Sequence, residues 1–187
     1  MSGNSELSGA QDWCGFSGEI DLGNPAFQQI LMFYLFECPV EFVSCRSVSF
    51  ERLGWLPDTN LLTNTVKKYC QEKDVKYHSV SKLDYLMDTL CTEDLYFQLY
   101  VKKEAVVFYN NLRNQAKSLL NYIRNAFAHG SFEIQATEVG SVYILESRDP
   151  KASDEIRARI VLRENTLLDW INLVRRGPGG EIACAKN

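Results

Sequence analysis

Apolar positions recur with two different periods along this chain, and the period changes at Gly130. Before that glycine the spacing is helical. Asn24-Pro25 suits an N-cap followed by the first helical residue, and Phe27, Ile30, Leu31, Tyr34 and Leu35 then return every three or four positions. Pro39 limits this helix to about residue 37. Its circumference is apolar nearly all round, which predicts a buried helix. Between Val40 and Trp55 the pattern fits strand and helix equally. Pro57-Asp58 restarts the chain, and Leu61, Leu62, Thr65, Val66 and Tyr69 predict an amphipathic helix to about Gln71 with a lysine-rich end. Ser81 is placed to cap a short helix carrying Leu83, Leu86 and Leu90, and His78 falls in a polar loop before it.

From Thr92 onward, Leu95, Leu99, Val106, Tyr109, Leu112, Ala116, Leu119, Leu120, Ile123 and Phe127 keep helical spacing, with no proline or glycine between residues 92 and 129. An unbroken helix of that length would be about 57 Å long. A break near Val107–Asn111, giving two antiparallel helices, is the favoured form. After Gly130 the period becomes two. Phe132-Glu133-Ile134, the run around Val142 and Ile144, and Ile156 to Arg163 alternate as strands, with turn signals at Val139-Gly140 and Arg148-Asp149-Pro150-Lys151. Leu167, Leu168, Ile171 and Val174 then form a last helix, ended by Gly177-Pro178. The predicted fold class is mainly α. A helical bundle spans residues 24–130, a small appended antiparallel sheet of about three strands spans 131–163, and a helix follows over 164–176. Flexible tails are expected at 1–19 and 177–187.

The 187 residues are 45% apolar, enough for a sizeable core. The net charge of −4 is uneven. Residues 1–60 hold eight acids and two bases, whereas the remainder holds sixteen acids and eighteen bases. The acidic end therefore hides a mildly basic remainder. Six cysteines lack any C-x-x-C spacing, which argues for reduced buried thiols in a cytoplasmic protein and against a metal site. The N-terminus has no signal-peptide pattern, and the longest apolar run, Ile30 to Phe36, is too short to span a membrane.

Candidate chemistry concentrates at the end of the long helical pattern, in Leu120-x-x-Ile123-Arg124-Asn125-Ala126-Phe127-Ala128-His129-Gly130. Asn125 and His129 are four apart and share a helix face. Arg124 and His129 are five apart, about 140° round an ideal helix. Histidine exchanges a proton near neutral pH, and a fixed arginine stabilises negative charge on a phosphate in its transition state. That pair suits cleavage of RNA, whose own 2′-OH serves as nucleophile without a metal. A histidine before a C-cap glycine can equally bond the last helical carbonyls. Arg157, Arg159 and Arg163 fall on one face of a predicted strand and form a candidate RNA-binding stripe, or the solvated face of that strand.

The segment Arg124-Asn125-x-x-x-His129 resembles the R-x4-6-H motif of the HEPN superfamily, with the polar residue that commonly follows the arginine. The resemblance covers residues 90–135 most closely. It implies a small helical bundle acting as a metal-independent endoribonuclease in a toxin–antitoxin or antiviral defence setting. It further implies Arg124 and His129 as the catalytic pair, Asn125 as the orienting residue, and no cofactor. A homodimer with a composite site and a possible antitoxin or regulatory partner are also implied. A non-catalytic, HEPN-like dimeric module binding RNA, a nucleotide or a partner protein is the alternative. One departure stands out. HEPN proteins that partner nucleotidyltransferase antitoxins carry a tyrosine two residues after the histidine, and this chain has Ser131 there.

Overall fold

A computed structural model describes residues 20–40, 48–56, 60–93, 95, 103–112, 114–149 and 151–178. The elements in chain order are α1 (Pro25–Met32) running into a π-helical turn (Phe33–Glu37), α2 (Leu61–Glu72), β1 (Lys76–Val80), α3 (Leu83–Thr92), β2 (Ala105–Tyr109), α4 (Gln115–Ala128), β3 (Phe132–Thr137), β4 (Gly140–Asp149), β5 (Ala152–Arg163) and α5 (Glu164–Arg176). The five strands make one mixed sheet of order β1-β2-β5-β4-β3. β1 and β2 run parallel, joined through α3, and every other neighbouring pair is antiparallel.

This is an α/β fold, and the expectation of a mainly α bundle with a small appended sheet is overturned. The error has a local cause. Ala105-Val106-Val107-Phe108-Tyr109 fits helical spacing within a longer window, yet it is a β-branched and aromatic run buried along almost its whole length. Such a run is ambiguous by periodicity, and β propensity favours a strand covered on both faces. The expected helix from Thr92 to His129 is therefore not one element. α3 ends at Thr92, β2 occupies the region where a break was favoured, and α4 begins at Gln115. β1 is hidden by polarity, since only Tyr77 and Val80 of Lys76-Tyr77-His78-Ser79-Val80 are apolar and the strand lies at a sheet edge. The three antiparallel strands read after Gly130 are present as β3, β4 and β5, forming one side of the larger sheet. The tail expected at 1–19, all but the first two residues of the tail expected at 177–187, the restart at Pro57-Asp58, and Leu99 lie outside the described residues.

Strand alternation divides the apolar side chains into two cores. Val106, Phe108, Phe132, Tyr143, Leu145, Ala158, Ile160 and Leu162 face α1, the π-helical turn, α2, α4 and α5. Ala105, Val107, Val142, Ile144, Ile156 and Val161 share the other core with Leu86 and Leu90 of α3. The sheet is thus the middle of three layers. Asn24 caps α1 as its position predicts, its Oδ1 accepting from the Ala26 amide at 2.9 Å. At the other end the Cys38 amide donates to Phe33 O at 2.7 Å, closing the π-helical turn before Pro39. Trp55 is buried and donates from Nε1 to Val174 O at 2.8 Å, tying the 48–56 segment to α5. Gly177 has φ +74, and a Cβ there would lie 2.5 Å from Leu53 O, so only glycine fits the exit from α5.

One polar cluster crosses the apolar sheet. Arg159 of β5 donates from Nε to Glu146 Oε2 of β4 at 2.8 Å and from Nη1 to Leu95 O at 2.9 Å. Glu146 also accepts from Arg148 Nε at 2.6 Å. Both members of the central pair are 3% exposed. Removing one partner leaves a buried charge, which costs about 3–5 kcal/mol. Arg159→Met should fall at the low end, about 3 kcal/mol, because Arg148 still faces Glu146. Urea unfolding checks this, and a loss no larger than that of the half-exposed Arg163→Met would contradict it.

Candidate site at the end of helix α4

The motif residues sit on the outward side of α4, and the helix end is built by a specific cap. His129 is the C-cap, and Gly130 follows with φ +68. The Ser131 amide donates to Ala126 O at 2.9 Å and the Gly130 amide to Phe127 O at 3.3 Å. This is the Schellman arrangement, and its left-handed position favours glycine. The space around Gly130 is open, so backbone conformation rather than crowding demands glycine there. Inward-facing Leu119, Leu120, Tyr122, Ile123, Ala126 and Phe127 fix the helix against the sheet and α1. Phe127 lies against Tyr34, Phe132 and Tyr143, with ring centroids 5.1–6.3 Å apart. That aromatic cluster anchors the turn that carries His129.

The three predicted site residues are brought together only in part. Arg124 is half-buried and donates from Nη1 to Asn125 Oδ1 at 2.9 Å. Asn125 stands about 100° from Arg124 and about 40° from His129 round the helix axis. The bond therefore draws the guanidinium across the outer face, toward the side that bears His129. His129 is exposed, and no hydrogen bond reaches its imidazole among the described residues. Asn125 thus holds the arginine, where the sequence expectation had it orienting the histidine.

The inner side of Arg124 meets the π-helical turn. Its Nε is buried without a hydrogen-bond partner, as is the hydroxyl of fully buried Tyr34. Cys38 lies between these surroundings. Burial pushes its thiol up to about 12, while the Val40 backbone and the Arg124 charge pull the other way. Burial, with Cys38 adding to it, also raises Tyr34 well above the usual tyrosine value. Both groups stay neutral, so the positive charge of Arg124 has no carboxylate beside it among the described residues. Sequence spacing alone could not place the turn at Cys38 beside Arg124, because 86 residues separate them.

The expected arginine stripe is not a free cationic surface. Arg159 is spent on Glu146 and Leu95 O. Arg157 falls in a register shift between β4 and β5, where it pairs with Asp149 and Glu155 and lies over the Tyr109 ring. Arg163 is the most exposed of the three, and its Nε is 3.8 Å from Glu104 Oε2. Glu146 and Asp149 lie on β4, Glu155 lies on β5 itself, and Glu104 immediately precedes β2, so apart from Glu155 these partners are not visible in the alternation of β5. Among the described residues no group of three or more His, Cys, Asp or Glu side chains could hold a metal ion, and no helix is long and apolar enough to cross a membrane. No family model matches the chain, and no curated protein and no solved structure matches it.

The pairing of Asp149 has a pH consequence. The Lys151 amide donates to Asp149 Oδ1 at 2.7 Å, and with Arg157 it holds the carboxyl below the usual 3.8. A depressed folded value means that this stabilisation is complete above 3.8 and is lost as pH falls through the lower folded value. Asp149→Asn should therefore lower the melting temperature at pH 6, and the gap from wild type should close in the most acidic buffers. A gap that is constant down to pH 2 would contradict this pairing.

Proposed function

We propose that this chain is a metal-independent endoribonuclease whose working groups are Arg124 and His129, with Asn125 holding the arginine. The observation that carries this reading is the Arg124–Asn125 hydrogen bond, which turns a guanidinium without a carboxylate partner among the described residues toward the side of an exposed histidine. The motif resemblance points the same way, and it now rests on these residues rather than on a helical-bundle architecture. In the reaction, the 2′-OH attacks the adjacent phosphorus and the bond to the 5′ oxygen breaks. His129 takes the 2′-OH proton or delivers one to the departing oxygen. Arg124 stabilises the extra negative charge on the phosphorus-bound oxygens. The products are a 2′,3′-cyclic phosphate and a 5′-OH. Two copies meeting across the outer faces of α4 would let Arg124 of one chain and His129 of the other address the same phosphate. A toxin–antitoxin or defence role, with a regulatory partner, belongs to the same proposal.

One observation favours a second reading. Arg124 Nε is buried, so part of the guanidinium is committed to the protein interior. A non-catalytic module that binds RNA through this face would need no more of it. The discriminating experiment is cleavage of mixed RNA with EDTA present. His129→Ala and Arg124→Ala should each lower the rate by about 10²–10³-fold or more, with 5′-OH ends on the wild-type products. Cleavage retained by His129→Ala would sink the assignment. Wild-type binding without cleavage would select the second reading.

A further inference from the structure

The opposite edge of the sheet carries a second charged feature, which the motif does not include. A groove of about 370 Å³ runs between the C-terminal half of α2 and strand β1, lined by Lys67, Cys70, Asp74, Lys76, Tyr77 and His78 among others. Lys67 Nζ lies over the Tyr77 ring, 5.6 Å from its centroid. That contact holds the lysine at the groove without neutralising it. Neither Lys67, Lys73 nor Lys76 pairs with a carboxylate among the described residues. The acids nearby are engaged. Glu72 faces Lys68 at 3.8 Å, Asp74 faces Lys103 at 3.9 Å, Glu93 faces His78 at 2.9 Å, and Glu104, whose charge reaches Cys70, faces Arg163 at 3.8 Å. With His78 neutral, five lysines and Arg163 meet four carboxylates among the described residues, a local excess of positive charge on a chain whose net charge is −4.

We infer that this groove binds the phosphate backbone of single-stranded RNA. An acidic protein partner fits less well, because stable protein interfaces centre on apolar anchors ringed by polar groups. The exposed large apolar side chains among the described residues are Leu22, Met32, Phe36, Leu56, Leu61, Tyr85, Leu112 and Val139, and none lines the groove. A site of lysines without such an anchor suits a polyanion, bound with strong salt dependence. The Tyr77 ring is covered by Lys67 on one side and meets Phe108 edge-on, so recognition here is of phosphate rather than of stacked bases. β1 and β3 lie at the two edges of the sheet, four strand spacings or about 19 Å apart. The groove is thus remote from the turn between α4 and β3. It deepens the nuclease reading by giving the substrate a second point of attachment.

The test measures binding in the His129→Ala chain, so that cleavage plays no part. A labelled single-stranded RNA 20-mer is titrated by fluorescence anisotropy across a salt series. Lys67→Glu with Lys76→Glu should weaken binding at least tenfold at low salt and should reduce the log–log salt slope by about 1.4, for two lost phosphate contacts. Lys82→Glu with Lys151→Glu, matched in charge and outside the groove, should leave the slope unchanged. Lys67→Gln with Lys76→Gln gives the same reading with less perturbation if the reversal fails to fold. Equal weakening by the groove and control pairs, no RNA binding by the parent, or displacement of RNA by polyglutamate at matched charge would each overturn the inference. Absence of cleavage by the wild type would bear on the nuclease reading alone.

Discussion

Strand β5 must be buried on both faces, and most of the architecture follows from that. It pairs with β4 along one edge and, over Ala158 to Val161, with β2 on the other, so the backbone groups of its central stretch are satisfied within the sheet. Its side chains divide between two cores, Ala158, Ile160 and Leu162 on one face and Ile156 and Val161 on the other. A strand with two apolar faces needs a layer on each side. The helices α1, α2, α4 and α5 supply one, and α3 helps supply the other. Arg159 is the polar exception in the middle of this strand. Glu146 and Leu95 O must meet it, because an unpaired buried guanidinium costs more than the local packing returns.

The same constraint positions the motif on α4. That helix packs its apolar side on β4 and on the π-helical turn, which leaves Arg124, Asn125 and His129 on the side away from the sheet. The π-helical turn widens the end of α1 and brings the Cys38 thiol within reach of the Arg124 charge. Burial keeps the thiol and the Tyr34 hydroxyl neutral, and among the described residues no carboxylate pairs with the guanidinium. His129 differs in kind. Among the described residues it is held through its backbone, by the cap that Gly130 completes, and its ring is exposed.

The two cationic features have opposite fates. On β5, Arg157 and Arg159 found carboxylates on β4, and Arg163 lies near Glu104, just before β2. On α2 and β1 the lysines stand at a sheet edge, where the acids among the described residues are already engaged by Lys68, Lys103, His78 and Arg163. Position relative to the sheet separates them. An interior strand has a neighbour on each side to supply a counter-charge, whereas an edge strand has one.

Local rules determined the capped start at Asn24-Pro25, the limit at Pro39, the three antiparallel strands after Gly130, α5, and the glycine-closed end of α4. Each depends on residues within a turn or a strand of one another, so the sequence carries the signal. The α/β class was beyond those rules. Ala105 to Tyr109 satisfies a helical period as well as a strand's, and only the distant β5 and the parallel β1 settle it by supplying hydrogen bonds along both edges. The candidate site divides the same way. Arg124, Asn125 and His129 were legible as a motif because they lie within six residues on one helix. The hold of Asn125 on Arg124, the placing of Cys38 within reach of the Arg124 charge, the pairing of Arg157 and Arg159, and the lysine groove were decided by tertiary structure, since charge is neutralised or left free by neighbours in space and not in sequence.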